Sequence, residues 1–497
     1  QIFPDRFARD SSATAQRGME HHRRMGQTVH CHAGWDEPVE WQANTPEGEY
    51  APVDFYGGTL RGIADRLHYL QKLGVTVLYL NPIFESASNH RYDTGDYRKV
   101  DPILGTNADF KKLCAAAADC GIRIVLDGVF AHTGADSRYF NHFRHYPGCG
   151  AYNSRSSVYA RWYSFAHYPD DYKCWWDFKD LPAVNAANPD WRKYMITGAR
   201  SIVKTWLRDG ASGWRLDVAD ELPDDVLRGM RSAAKETDPD SVLLGEVWED
   251  AVTKVSYGER RQYALGDALD SVMNYPLRDG LVAFLTGRST AHALADLLLS
   301  QRLNYPRPLY YALMNLTASH DVARTRSALA LDFDPRSRTR AELAALEITD
   351  AMAARGAQLQ VLAAAVQFWL PGIPSIYYGD ETGMQGLCDP FNRAPLQMCD
   401  TQMLQWYAQL TALRHAHPAL THGEVAVFAP AGDVLCVLRV IADGRDAFGE
   451  EAEDEALLLI VNRAAHPVRC HVELTCPGAG LCEETRLAFV RSEYDCA

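Results

Sequence analysis

The chain has 497 residues, 47% of them hydrophobic, enough to bury a large core and to hold more than one domain. Its formal net charge is −14, spread along the sequence apart from one acidic run at Glu450–Glu455. No basic patch is available to neutralise phosphates, which excludes a nucleic-acid partner, and no apolar run reaches the length of a membrane span.

Twelve cysteines are scattered singly, without C-x-x-C or any metal-type spacing. Cys114, Cys120 and Cys436 stand in apolar contexts, where cysteine behaves as a small hydrophobe. Unpatterned cysteines in a long chain point to a reducing compartment, so a cytoplasmic location is expected. No secretory signal pattern is present, but Gln1 opens inside a strand-like run, QIFPDRF, so an upstream segment is expected to have been removed.

Eight apolar, strand-like runs follow one another: Gln1–Phe7, Val75–Asn81, Ile122–Val129, Gly213–Val218, Val242–Val247, Ser271–Tyr275, Tyr310–Leu316 and Ile373–Tyr378. Segments of helical period lie between them. Leu60, Ile63, Leu67, Leu70 and Leu73 recur every three or four residues before Gly74; Phe110, Leu113, Cys114 and Ala117 do so before Gly121. Asn188-Pro189 opens a third, carrying Trp191, Met195, Ile202, Val203 and Trp206 before Gly210. Strand, helix, glycine, strand is the grammar of parallel β/α units, and eight strands suggest a (β/α)8 barrel. From Thr133 to Pro182 no helical period appears, and the stretch is rich in Tyr, His, Trp and Asp; such an excursion usually helps to build a site. From about Val425 onward short alternating runs (VAVFAP, VLCVLRVI, ALLLIVNR, HVEL, RLAFV) predict a small antiparallel β domain.

Two of the apolar runs end in carboxylates: Asp217 in GWRLDVADE and Glu246 in LGEVWED. At the C-terminal ends of parallel strands such groups point into the mouth of the sheet. Two of them are the minimum equipment for cutting a glycosidic bond, one attacking the sugar and one protonating the leaving oxygen. Arg215 stands two residues before Asp217 and therefore on the same side of its strand, where it can keep that carboxylate ionised.

Taken with DGVFAH (Asp127–His132), LPAVN (Leu181–Asn185), NLTASHD (Asn315–Asp321), DFYGG, YLNPIFES, HRYDTGDY, YYGDE and DPFNR, these motifs make the chain resemble the α-amylase superfamily, glycoside hydrolase family 13, nearest its neopullulanase and cyclomaltodextrinase group. The resemblance runs from Gln1 to about Arg393. It implies that Asp217 is the nucleophile of a covalent glycosyl-enzyme intermediate, Glu246 the general acid/base with a pKa raised by burial and nearby negative charge, and Asp321 the third acid, bonded to sugar hydroxyls. It also implies that His132 and His320 contact the sugar at the cleavage subsite and that Tyr92 is the aromatic platform beneath it. Asp389 and Arg393 then reach the next sugar, and His90 and Trp176 complete the substrate-binding set. Trp175 and Trp176 stand open between core and sugar stacking, and Asp127 reads as a support for Arg215 rather than a catalytic acid.

Several positions depart from the family pattern. Ala131 stands where many relatives have a calcium-holding Asn, and the loop RDSSATAQ lacks the Asn/Asp-rich run of calcium-binding relatives, so no metal or other cofactor is expected. The cluster His21, His22, His30 and His32 with Cys31 fits no familiar metal spacing. Asp220 and Glu249 replace a common Asn and a common His, which leaves acceptor preference open, and the N-terminal dimerising β-sandwich usual in that group is not expected here, leaving the oligomeric state open.

The expectation is a (β/α)8 TIM barrel over 1–132 and 184–422, an inserted domain over 133–183 and a C-terminal antiparallel β-sandwich over 423–497. Its function is expected to be retaining hydrolysis of α-1,4 bonds, with α-1,6 bonds left open, in maltooligosaccharides, starch, pullulan or cyclodextrins, with an α-glucan as partner. An exo-acting oligosaccharide α-glucosidase and a non-catalytic carbohydrate-binding relative are the alternatives.

Overall fold

The computed structural model describes residues 1–46 and 48–471. It divides into two compact units: Gln1–Val247 with Thr253–Val272 and Arg393–Leu396, and Trp248–Val252 with Met273–Asn392 and the chain from Gln397 onward.

In the first unit five strands run parallel in the spatial order Ser271–Val272, Val242–Gly245, Gly213–Leu216, Arg123–Gly128 and Val77–Leu80. Ile2 adds a parallel bridge to Leu80. Strands covered on both faces read as continuous apolar runs, and Leu78, Leu80, Ile124, Leu126, Trp214, Leu216 and Leu243 are all buried. The helix Asn107–Asp119 begins with a capping box made by Thr106 and Asp109 and buries Phe110, Leu113 and Ala117. Phe84, Phe110 and Trp214 belong to one aromatic cluster with Trp206, which meets Phe84 and Phe110 at ring-centroid distances of 5.0 and 5.1 Å. The three glycines expected to stop helices, Gly74, Gly121 and Gly210, have φ of 82°, 72° and 117°, the left-handed conformation that ends a helix.

In the second unit Met314–Leu316 pairs in parallel with Ile373–Ser375, and Met273 bridges Met314. Three antiparallel strands follow in the order Glu424–Ala431, Val434–Ile441 and Glu455–Asn462. The buried Arg439 fastens this sheet by donating to the carbonyls of Trp369, Leu420 and Gly423 at 2.7–3.0 Å. The nine described cysteines are all free of disulfides. Burial pushes the thiols of Cys114 and Cys436 up to about 12 and about 11, which keeps them inert.

Several elements differ from the sequence expectation. The run Tyr310–Leu316 splits into a helix, Arg307–Tyr311, and the strand Met314–Leu316, because prolines at the segment's start favour a first helical turn. The run Gln1–Phe7 reduces to the Ile2 bridge and a 3-10 turn at Pro4–Arg6. The strand from Ser271 ends at Val272, since Asn274 caps a new helix by accepting from the Leu277 amide. The helix from Pro189 breaks after Thr197 and restarts at Ile202, capped by Ser201. From Thr133 to Pro182 the backbone makes one 3-10 turn and short strand pairs, as the missing period implies. The runs VAVFAP, VLCVLRVI and ALLLIVNR are the three antiparallel strands; almost all of HVEL and the whole of RLAFV lie outside the described residues.

Candidate active site

Register brings Asp217 and Glu246 to one level. Leu216 pairs with Gly245 on the adjacent parallel strand, and the Glu246 amide continues the ladder by donating to Leu216 O at 3.0 Å. Each carboxylate is the first residue beyond its strand, and both are buried with 6% exposure. Gly245 lets Leu269 pack against the strand end: a Cβ there would lie 2.4 Å from Leu269 Cδ1 and force that side chain to move.

Arg215 lies beneath them, fully buried. Its Nη1 donates to Asp127 Oδ1 and to Asp217 Oδ1, each at 2.8 Å, and its Nη2 lies 2.8 Å from Glu246 Oε2. Period two predicts the contact with Asp217; the contact with Glu246 comes from the neighbouring strand and enlarges the expected role of this arginine. Burial works against its charge, but Asp127 and Glu246 more than offset that and hold it well above the ordinary guanidinium value.

Around the arginine stand hydroxyls that donate to Asp127. Tyr79 and Tyr92 both reach Asp127 Oδ2, at 2.5 and 2.8 Å, and Asn81 Nδ2 donates to the Tyr92 hydroxyl at 2.9 Å. Burial, reinforced by the Asp127 charge, keeps both phenols protonated. The part played by Tyr79 and Asn81 was not assigned from sequence, although their spacing in YLN puts them on one face of the strand.

His132 is buried, and its Nε2 lies 3.1 Å from Tyr92 O while Nδ1 is buried without a hydrogen-bond partner. Tyr97 fixes the segment around it by donating to Val129 O and His132 O. Burial lowers the His132 pKa to about 4. His90 is likewise held well below the usual histidine range by burial, then by the charges of Arg393, Arg91 and His132. Its ring lies 5.8 Å from that of Tyr92. Arg393 is buried, with its guanidinium 5.5 Å from the centre of the Phe3 ring.

The excursion contributes a hairpin, Cys174–Trp175 paired with Phe178–Pro182, whose base is joined to the His132 segment through an Ala183–His132 bridge. Trp175 lies 5.7 Å from the His132 ring and stacks on Trp176 at 5.4 Å and on Phe178 at 5.8 Å. Trp176 occupies the turn and is 72% exposed.

Asp321, His320 and Asp389 fall in the second unit. There His320 Nε2 lies 3.2 Å from Asp321 Oδ2, and the Tyr275 hydroxyl donates to the same oxygen at 3.4 Å. Tyr275 stacks face to face on Trp248, with centroids 3.8 Å apart.

The histidine cluster near the N-terminus is engaged in hydrogen bonds: His22 with Gln27 and Asp101, His30 with Glu40, and His32 with Glu37 and Asp54. No group of three or more possible His, Cys, Asp or Glu metal ligands occurs among the described residues. Trp35 donates to Leu396 O at 3.0 Å, and Asp220 is held by Lys254 at 2.9 Å and by the Tyr263 hydroxyl.

Residues 1–398 match the family described as alpha amylase, catalytic domain. The chain is 35% identical over 517 residues to an amylopullulanase of Thermoanaerobacterium saccharolyticum, covering 96% of this chain and 38% of that protein. It therefore spans well under half of that relative's length. It is 31% identical over 476 residues to a cyclomaltodextrinase of Geobacillus thermopakistaniensis, covering 93% and 68%. Its fold is similar to that of the cyclic alpha-maltosyl-(1→6)-maltose hydrolase from Arthrobacter globiformis, with a TM-score of 0.70, 30% identity and coverage of 89% and 87%. These likenesses imply the (β/α)8 barrel of that family for the parallel strands described above. The chain belongs to the alpha-amylase family of glycoside hydrolases.

Proposed function

We propose that the chain is a retaining hydrolase of α-linked glucose oligomers that cuts α-1,4 bonds, with α-1,6 bonds as the further candidate. Its parallel strands then belong to the barrel of that family, with 133–183 as an inserted domain and the antiparallel strands within Glu424–Asn462 as part of a C-terminal β-sandwich. The observation that carries the reading is the single buried guanidinium of Arg215, which meets the carboxylates of both Asp217 and Glu246 at 2.8 Å. Two carboxylates gathered on one cation suit a retaining pair, about 5 Å apart, better than an inverting pair that holds a water between them.

In this reading an Asp217 oxygen attacks the anomeric carbon while Glu246 gives its proton to the departing glycosidic oxygen. The glycosyl ester so formed is then opened by water, whose proton returns to Glu246 as the Asp217 carboxylate leaves. Arg215 holds the Asp217 carboxylate in place for the first step through its 2.8 Å contact. His132 and His90, held neutral by burial, offer uncharged donors and acceptors to sugar hydroxyls, and Tyr92 presents its ring to the sugar's C–H face. Arg393 and Trp176 in the first unit, and Asp321, His320 and Asp389 in the second, are each assigned to substrate contacts by the same resemblance.

The reading assigns no metal. Ala131 has no side-chain oxygen, and the Asp10 carboxylate in the first-strand loop already accepts from Ser12 and Thr59. No described helix is long and apolar enough to cross a membrane, and the free cysteines suit a reducing cytoplasm.

The test is product analysis on maltohexaose, a cyclodextrin and pullulan, with Asp217→Asn as control. Maltose or panose from the wild type and silence from the variant support the reading. Glucose alone would replace it by an exo-acting α-glucosidase. Inertness of both proteins would leave a carbohydrate-binding relative.

A further inference from the structure

Directly after Asp217 the backbone turns through Val218, at φ 40° and ψ 64°. Its N–H donates to Glu246 Oε2 at 2.8 Å, and the Ala219 N–H donates to Glu246 O at 3.2 Å. An acid/base must touch the leaving oxygen, so the segment packed on Glu246 borders the leaving-group side of the cleavage point.

That segment is fastened to a hairpin in the loop beyond Glu246. Arg261 pairs with Asp224 at 2.8 Å and donates to the carbonyls of Asp220 and Leu222. Tyr263 and Lys254 both hold the Asp220 carboxylate. The hairpin, Val255–Ser256 against Glu259–Arg260, turns through Tyr257 and Gly258, at φ 53° and 80°. Such a two-residue turn favours Asn-Gly, and a tyrosine at its first position is costly. The Tyr257 ring neither suits the turn nor fills a core: it is 75% exposed, while its hydroxyl donates to Glu221, four residues beyond Asp217. A strained residue with a fixed hydroxyl and a bare ring is preorganised for a ligand with a flat apolar face.

We propose that Tyr257 is a stacking platform for the glucosyl unit on the leaving-group side, and that it selects the sugar acceptor which intercepts the glycosyl-enzyme. The proposal rests on the hydrolase reading above. In the transfer step the acceptor hydroxyl oxygen bonds to the anomeric carbon, Glu246 takes the hydroxyl proton, and the Asp217 carboxylate departs with the bonding pair.

The experiment uses α-maltosyl fluoride as donor, because fluoride leaves the acceptor side free of sugar, and maltose as added acceptor. Tyr257→Asn removes the ring but keeps a residue tolerated at positive φ; Tyr257→Phe keeps the ring. In Tyr257→Asn the ratio of transfer to hydrolysis is expected to fall roughly three- to tenfold, the worth of one aromatic contact, with fluoride release in the absence of maltose unchanged. Tyr257→Phe should keep most of the ratio. An unchanged ratio in Tyr257→Asn would overturn the proposal. If the wild type releases no fluoride, the hydrolase reading fails instead. Calorimetric titration of maltohexaose into Asp217→Asn, with and without Tyr257→Asn, then decides on Tyr257 alone: weaker binding by the same factor supports the platform, and equal binding removes it.

Discussion

At the strand ends Arg215 is fully buried and meets Asp127, Asp217 and Glu246 at 2.8 Å. At two hairpin tips, by contrast, Trp176 and Tyr257 are 72% and 75% exposed, and the backbone holds them at φ 45° and 53°. The first region fixes its side chains through charge in a dry setting, where removing one partner strands the others. The second fixes them through strained turns, where removing the ring costs the fold nothing. Chemistry therefore belongs to a region intolerant of change, and choice of sugar to one that can vary.

The sharpest break in this comparison comes from the carboxylates. Asp217→Asn should lower kcat on maltohexaose by at least about 10⁴-fold, with folding intact by circular dichroism. A hundredfold loss or less would move the nucleophile elsewhere. Next is Arg215→Met, which leaves Asp127 buried without its cation; urea unfolding should show about 3–5 kcal/mol of destabilisation. A change below about 1 kcal/mol would mean that the buried charges hold one another less tightly than their spacing indicates.

Acid sensitivity tests the same interior. Burial lowers His132 to about 4 in the folded chain, against about 6.5 unfolded, so the unfolded state binds the extra proton between those values. The stability this neutral histidine contributes is complete above pH 6.5 and is lost as pH falls towards 4, by about 3 kcal/mol. Urea midpoints measured from pH 7 to pH 4 should fall more steeply for the wild type than for His132→Gln. Parallel slopes would show that His132 takes up its proton without cost. The smallest effect belongs to the rim: Trp176→Asn should raise stability by up to about 1 kcal/mol by relieving the turn. The same substitution should weaken KM for maltohexaose severalfold and leave maltotriose unaffected. A loss of stability would mean that the indole is packing rather than waiting for sugar.

What the sequence made legible follows from local periodicity. Asp217, Glu246 and the side shared by Arg215 and Asp217 can be read because each depends on one strand and its alternation. The meeting of Arg215 with Glu246 cannot, since it depends on Leu216 pairing with Gly245 across strands 29 residues apart in sequence. Tyr310 joined a helix because its apolar run carries no mark of where a strand starts, and the prolines upstream decide it. Val218 and Tyr257 escaped for a different reason. A β-branched or aromatic residue is the last expected at positive φ, so the strain that positions each of them leaves no trace in composition or period.

The central claim is that Asp217 forms the covalent bond to sugar. A fluorinated α-maltosyl fluoride, with a good leaving group and a ring that slows the second step, should trap that ester. After digestion and mass spectrometry, the added mass should lie on the peptide holding GWRLDVADE and map to Asp217, with no label in Asp217→Asn. Label on any other residue, or turnover of the natural substrate with inverted product and no trapped ester, would contradict the account.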